Sequence, residues 1–324
     1  MIANFTSCRS GKVFFSMPTP TAILIAGPTA SGKSGLAMAF AQKLDGVVIN
    51  ADSMQVYREL RVLTARPSVG DEAAIPHKLY GHVAGADAYS TGRYVRDAAV
   101  AIAQVHGTKK VPVIVGGTGL YFRALLQGLS PIPPVPGDVR AHWRQEARRL
   151  GPAGLHALLA ASDPVMAAKL LPSDPQRVTR ALEVLEATGV SLGQWQQAPG
   201  VPILNEAQTL RLVIVPDRDV SRQHCDARFD VMMGEGALDE VRDLRALGLS
   251  GELPVMRALG VVPLGRHLAG ELSRDVAVEQ AKAETRQYVK RQSTWLRRNM
   301  NTWNVITPQQ MECSEDLIVS LIDS

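Results

Sequence analysis

The 324-residue chain is 46% hydrophobic and 20% charged, an ordinary soluble globular composition with room for one large or two medium domains. Its net charge of +4 is too mild to mark a nucleic-acid partner, so any such partner must be sought in local patches. Cys8, Cys225 and Cys313 form no C-x-x-C pair, which argues for a reducing compartment and against structural zinc, and no apolar run approaches the ~18 residues of a membrane span.

Residues 1–20 hold Arg9, Lys12 and an apolar patch too short for a secretory signal. They read as a disordered extension, or as an over-long reading frame whose true start is Met17. The first strand candidate, Ala22 to Ala26, leads into Gly27-Pro28-Thr29-Ala30-Ser31-Gly32-Lys33-Ser34. This fits G-x-x-x-x-G-K-[ST], the phosphate-cradling P-loop, and an alanine-rich helical pattern follows over 35–44. Backbone N–H groups at the helix start would face phosphate oxygens, Lys33 would add positive charge, and the Ser34 hydroxyl would ligate Mg²⁺. The loop predicts a bound di- or triphosphate without saying that it belongs to ATP.

Two further apolar runs, 46–50 and 111–115, read as buried parallel strands, with a helix over 93–106 leading into the second. The fold expected is α/β, with a parallel-sheet P-loop core of the nucleoside-triphosphate-hydrolase type. Ligands on such sheets gather at the carboxyl ends of the strands, which draws attention to Asp52, Ser53 and Thr118. From position alone Asp52 is a general base, an outer-sphere Mg²⁺ partner, a substrate hydrogen-bond acceptor or merely a helix N-cap before Met54. Gly116-Gly117-Thr118-Gly119 follows the third strand where many P-loop hydrolases carry an acidic magnesium ligand. The missing carboxylate weakens an ATPase reading.

Four prolines in 131–136 mark a boundary. Residues 135–200 are expected to form a small all-helical insertion, and 21–134 with 201–324 the core. Over 138–180 seven basic residues face four acidic ones, a net charge of +3. A strand over 210–215 resumes the core, followed by helical patterns over 222–247 and 277–299. The last is two-sided: Arg286, Lys290 and Arg297 share a face with Arg291 and Arg298 beside them, and Tyr288, Gln292 and Trp295 lie opposite. The basic face suits a polyanion, although a solvated surface helix has the same pattern. His77 and His82 lie in a loop-like segment without metal-ligand spacing.

Taken together, these segments resemble the bacterial tRNA dimethylallyltransferases, also called tRNA isopentenyltransferases. The matching pieces are the P-loop, Ala51-Asp52-Ser53-Met54-Gln55-Val56-Tyr57, Thr64-Ala65-Arg66-Pro67 and Val115-Gly116-Gly117-Thr118-Gly119-Leu120-Tyr121-Phe122. Further on come Asp174-Pro175-Gln176-Arg177-Val178-Thr179-Arg180, Arg228-Phe229 and Lys290-Arg291-Gln292-Ser293-Thr294-Trp295-Leu296-Arg297. Leu63, Arg66 and Lys78 depart from the usual glycine, lysine and histidine, and Leu63 puts the loop after Asp52 in question.

The resemblance implies transfer of a dimethylallyl group from dimethylallyl diphosphate to N6 of adenosine 37, in the anticodon stem-loop of tRNA. Asp52 would be the general base, with the P-loop, Lys33, Ser34 and Mg²⁺, Thr118 and Arg228 stabilising the leaving diphosphate. It also implies tRNA contacts at Asp52, Ser53, Met54, Gln55, Thr118, Arg140, Gln176, Arg177, Val178, Thr179 and Arg180. Met256, Arg257, Ala258, Leu259, Gly260, Val261, Arg286, Lys290 and Arg291 complete the expected tRNA-facing residues. A cytoplasmic monomer is expected. The alternatives are a P-loop nucleoside or nucleotide kinase and a non-catalytic nucleotide module that holds RNA.

Overall fold

The computed structural model describes residues 20–312 and 314–322; the expected N-terminal extension, Cys8 and Cys313 lie outside the described residues. The P-loop core opens with β1 (Ala22–Ala26), buried along its whole length, and α1 (Lys33–Lys43). Then follow β2 (Val47–Asn50), α2 (Val69–Ala74), β3 (His77–Lys78), α3 (Thr91–Gly107), β4 (Pro112–Gly116) and α4 (Gly119–Gln127). Four helices come next: α5 (Gly137–Ser162), α6 (Pro164–Ala167), α7 (Pro175–Thr188) and α8 (Leu192–Trp195). The core resumes with β5 (Thr209–Ile214), α9 (Arg218–Gly234), α10 (Ala237–Ala246), α11 (Val261–Leu268) and α12 (Arg274–Asn299). It ends with β6 (Asn304–Ile306), α13 (Pro308–Glu312) and α14 (Ser314–Ile322).

All strand pairings are parallel, in the order β3-β2-β4-β1-β5-β6. Parallel sheets need both faces covered, which is why β1, β2 and β4 read as unbroken apolar runs. One face packs Leu36, Ala37 and Phe40 of α1 with Leu317 and Ile318 of α14 against Ile23, Ile25 and Val113. Two strands escaped the sequence reading. β3 is two residues long and takes His77 out of the loop expected there, and β6 exposes Asn304 and Val305. The helical pattern over 222–247 is broken at Gly236, whose φ of +100° ends one helix and starts the next.

The chain divides into two compact units, one running to Leu126 and resuming at Leu204, the other Gln127–Ile203. The second unit is all-helical around Leu155, Leu159, Met166, Val178 and Leu182. Its limits lie eight residues before the expected 135 and three after the expected 200, where the entering and leaving chains pack backbone to backbone. A Cβ on Gly128 would stand 2.4 Å from the Val201 nitrogen. Asp174 caps α7 through the Arg177 N–H, with Pro175 at the first helical position, so part of the Asp174-Pro175 motif is a helix start.

The tightest constraint in the sheet joins β2 and β4. A Cβ on Gly116 would lie 2.1 Å from the Ala51 carbonyl oxygen, with Ala51 itself fully buried. Gly116→Ala is therefore expected to cost roughly 1–3 kcal/mol of stability through overpacking, read as a lower urea midpoint. An unchanged midpoint would contradict this close approach.

Candidate active site

The carboxyl ends of β1, β2 and β4 deliver three loops to one edge of the sheet, and α9 follows β5. After β1 the chain turns sharply through Ala30 at φ 61° and Gly32 at φ 82° before α1 begins. A Cβ on Gly27 would stand 2.6 Å from Ser31 Oγ, so a side chain there would have to turn that hydroxyl aside. Ser31 Oγ is buried without a partner among the described residues, and Lys33 Nζ donates to the Pro28 carbonyl at 3.2 Å. Met311 of α13 covers the outside of the loop, its methyl group 2.4 Å from where a Cβ on Gly32 would be.

Asp52 follows β2, but no helix starts there, so the N-cap reading fails. Its Oδ1 accepts the Met54 N–H at 2.9 Å, the i to i+2 bond of an Asx turn. Asn50, fully buried, clamps the residue from below: its Oδ1 accepts the Asp52 N–H at 2.8 Å, and its Nδ2 donates to the Asp52 and Leu79 carbonyls. The other Asp52 oxygen, Oδ2, accepts no hydrogen bond among the described residues and lies beside Gly117. Thr118 ties the two loops together. Its N–H donates to the Ala51 carbonyl at 3.2 Å and its Oγ1 accepts the Ser53 N–H at 2.9 Å. The hydroxyl expected for phosphate is thus engaged with Ser53 in the free protein.

The electrostatics join these pieces. Burial pulls Lys33 down to about 8, with Asp52 opposing the shift and Arg228 adding to it. Arg228, on α9, is lowered first by burial, while Cys225 and Asp52 pull the other way. Tyr80, Tyr121 and Tyr288 are all raised, first by burial and next by the negative charge of Asp52. The charge of this one carboxylate is therefore felt by two cations and three phenols, of which the buried Tyr121 stacks on Tyr94 at 3.7 Å.

Gln292 was read as part of the stripe opposite the basic face of α12 and of the Lys290–Arg297 motif, with no role of its own. It is buried, its Oε1 accepts from Thr29 N at 3.0 Å and Thr29 Oγ1 at 3.2 Å, and its Nε2 donates to the Gly117 carbonyl at 3.0 Å. One turn on, the Trp295 ring fills the place of a Cβ on Gly119. Glu240 of α10 was missed entirely. Its carboxylate accepts the backbone N–H groups of Arg61, Val62 and Leu63, holding the loop that leaves Asp52. Leu63 is buried in the core beside Gly260, and Arg66 Nη1 donates to the Tyr57 and Arg58 carbonyls, so both departures serve this loop's packing. Lys78 instead donates to Gln104.

Some residues expected to face tRNA are placed otherwise. Val178, Ala258 and Val261 point their side chains into apolar cores, at 0%, 4% and 3% exposure, because they fall on the inward faces of their segments. Arg286 is ion-paired with Asp226 at 2.6 Å, one rung of a ladder whose other rung is Lys282–Asp230, and so leaves the exposed basic face. Thr179 bonds back to its own helix, at the Pro175 carbonyl. Gln55 Nε2 closes its own loop on the Thr64 and Ala65 carbonyls, and Met54 packs on the core. Lys290, Arg291 and Arg298 remain exposed and line a cleft of about 510 Å³ with Trp295. Arg257, Arg140, Gln176 and Arg177 are also exposed, Arg177 beside Asp174 and Arg180 beside Glu183.

A loop of P-loop sequence at a parallel-sheet edge, with a carboxylate at the same edge and no acidic end to β4, fits a P-loop group-transfer enzyme. The chain belongs to the IPP transferase family. That family model matches residues 55–299, and an isopentenyl transferase model matches residues 20–75. The tRNA dimethylallyltransferase of Parvibaculum lavamentivorans is 51% identical over 308 residues, spanning 95% of this chain and 98% of that one. That of Methylobacterium nodulans is 53% identical over 290 residues, spanning 89% and 96%. The solved tRNA isopentenylpyrophosphate transferase of Bacillus halodurans superposes with a TM-score of 0.66 at 28% identity, covering 94% of this chain and 97% of that one. A eukaryotic dimethylallyltransferase acting on tRNA gives a TM-score of 0.79 at 27% identity, covering 92% and 77%. The family implied by the sequence motifs is the family found, and the kinase alternative gains no support.

The Lys33 shift sets a pH dependence with a definite sign. Below about 8 the ammonium is present to meet an anion; above it the free protein must first regain a proton. Affinity for an alkyl diphosphate, whose own ionisations are complete by then, should be flat up to pH 8 and then fall by up to about tenfold per pH unit. Lys33→Arg should remove that fall. Titration calorimetry between pH 6.5 and 10 distinguishes these outcomes.

Proposed function

We propose that this chain transfers a dimethylallyl group from dimethylallyl diphosphate to N6 of adenosine 37 in tRNA, releasing diphosphate. The observation that carries the reading is the unbonded Asp52 Oδ2 at the strand edge it shares with the P-loop, under the field of Lys33 and Arg228.

The chemistry follows from what each group can do. The N6 lone pair is delocalised into the adenine ring, so the amine is a weak nucleophile. Asp52 Oδ2 accepts an N6–H hydrogen bond and takes the proton as the N6–C1 bond forms. On the opposite side the C1–O bond breaks and negative charge grows on the departing diphosphate. The P-loop N–H groups, Lys33 and Arg228 stabilise that charge, and Thr118 fixes the Asp52–Ser53 loop against the same edge. Tyr80 and Tyr288, both half-buried, offer aromatic surface to an allylic carbon that becomes electron-poor as its bond to oxygen lengthens. No water is activated and no terminal phosphate moves, which accounts for an acid-free end to β4.

The donor set also fits Mg²⁺. Ser31 Oγ is buried and unpartnered, and the Ser34 hydroxyl stands on the first turn of α1, both hard oxygens suited to this ion. Among the described residues no group of three or more His, Cys, Asp or Glu could hold a metal alone, so the substrate's own oxygens would complete the shell. Bound there through Ser34, the ion would supply positive charge to the leaving group.

Adenosine 37 must leave the anticodon stack to reach Asp52, at a cost of a few kcal/mol. The exposed cations of α12, with Arg257, and those of the helical unit, Arg140 and Arg177, are suited to offset it by holding backbone phosphates.

Labelled dimethylallyl diphosphate, Mg²⁺ and unmodified tRNA should give labelled tRNA, with ATP inert as a donor; ATP-dependent phosphorylation without prenylation would overturn the reading. Asp52→Asn should lower the transfer rate by about 10²- to 10⁴-fold while tRNA binding stays within a few-fold. An unchanged rate would remove Asp52 as the base. tRNA affinity should fall steeply with salt, and Lys290→Ala with Arg291→Ala should flatten the log–log slope by about two units, one for each phosphate no longer neutralised. A slope indifferent to the double substitution would take α12 out of the interface.

A further inference from the structure

The amide of Gln292 does something that neither packing nor tRNA binding requires. It sits at 6% exposure on the inner face of α12 and spans the two loops just beyond the last β1–β4 bond, which runs from the Gly27 N–H to the Gly116 carbonyl at 3.3 Å. Its carbonyl end accepts both donors of Thr29, in the diphosphate loop. Its amino end donates to Gly117, in the loop beside Asp52. Only a primary amide of this length presents an acceptor at one corner and a donor at the other. A Cβ on Gly117 would approach Nε2 to 2.3 Å and Asp52 Oδ2 to 3.4 Å, so the carbonyl it holds belongs to the residue alongside the base. The helix that carries it is itself fixed. The ladder Lys282–Asp230 and Arg286–Asp226 locks α12 to α9, and Trp295 is seated on Gly119.

We propose that Gln292 is a positioning residue which sets the gap between the diphosphate loop and the edge carrying Asp52, and so the alignment of leaving group and base. This rests on the transferase reading above. Gln292 touches neither the leaving group nor the N6 proton; it acts through Thr29 and Gly117. A displacement of about 1 Å between the two halves of such a site is enough to cost about a hundredfold in rate.

The test replaces the amide while keeping its volume. Gln292→Met removes both ends of the tie, and kcat for prenyl transfer should fall by about 10- to 100-fold with the tRNA dissociation constant unchanged within about threefold. Thr285→Val is the control. Thr285 is equally buried on the same helix, but its hydroxyl bonds only to the Ala281 carbonyl, so its loss should leave kcat unchanged. Thr29→Val removes one of the two donors, and on the Gln292→Met background it should cost much less than on the wild type. If Gln292→Met does not fold, Gln292→Asn, whose shorter amide cannot reach both loops, serves in its place.

A folded Gln292→Met enzyme with kcat within threefold of wild type overturns the proposal. So do an equal loss in Thr285→Val and fully additive effects of the Thr29 and Gln292 substitutions. Absence of prenyl transfer by the wild-type protein overturns the functional reading, and the positioning role falls with it.

Discussion

The structure depends on one steric fact, the contact between the backbone of β4 and that of β2 at Gly116 and Ala51. With no side chain at 116, the two strand ends lie close enough for the Thr118 N–H to reach the Ala51 carbonyl. Two loops that would otherwise fan apart become one surface, with Thr118 bonded to Ser53 and Asp52 held between Asn50 and the Met54 N–H. Asp52 is thereby left with one oxygen fixed and one open. A carboxylate on a loose loop would satisfy both oxygens locally or with water, and its basic lone pair would have no set direction.

The second organising element is α12, which uses its faces for different work. Its outer side is an electrostatic surface, while its inner side reaches the phosphate loop and the Gly117–Gly119 turn with an amide and an indole. Its earlier turns spend two of their cations internally, on Asp230 and Asp226. A buried charge ladder is only weakly stabilising in general, since desolvation offsets much of the attraction. These pairs are partly exposed, and they tie α12 to α9, on which Arg228 rides.

What the sequence made legible follows from how local each signal is. The P-loop motif and the four longer strands rest on contiguous residues and are found at their expected places within a residue, and the inserted segment is helical although its limits lie outside 135 and 200. Asp52 was legible as a polar residue at a strand end, but its Asx turn was not, because Asp-Ser before an apolar residue serves a cap or a turn equally well. Glu240 and Gln292 have partners 177 to 179 and 175 to 263 residues away, so no spacing rule connects them to the loops they hold. The motif around Val178, and the 256–261 segment, mix outward polar and inward apolar side chains. A family pattern marks them as one block, and only burial separates Arg177 from Val178, or Arg257 from Ala258.

The methionine that lies over Gly32 ties the far end of the chain to its most chemically demanding turn. Leu317 and Ile318 pack on α1, and Met311 closes the outer wall of the phosphate loop. The carboxyl-terminal helices are therefore packed into the core around this loop, not an appendage after the last strand. A fusion partner or a protease cut at that end acts on the packing of α1 and on the outer wall of the Gly27–Ser34 loop, however far it lies from them in sequence.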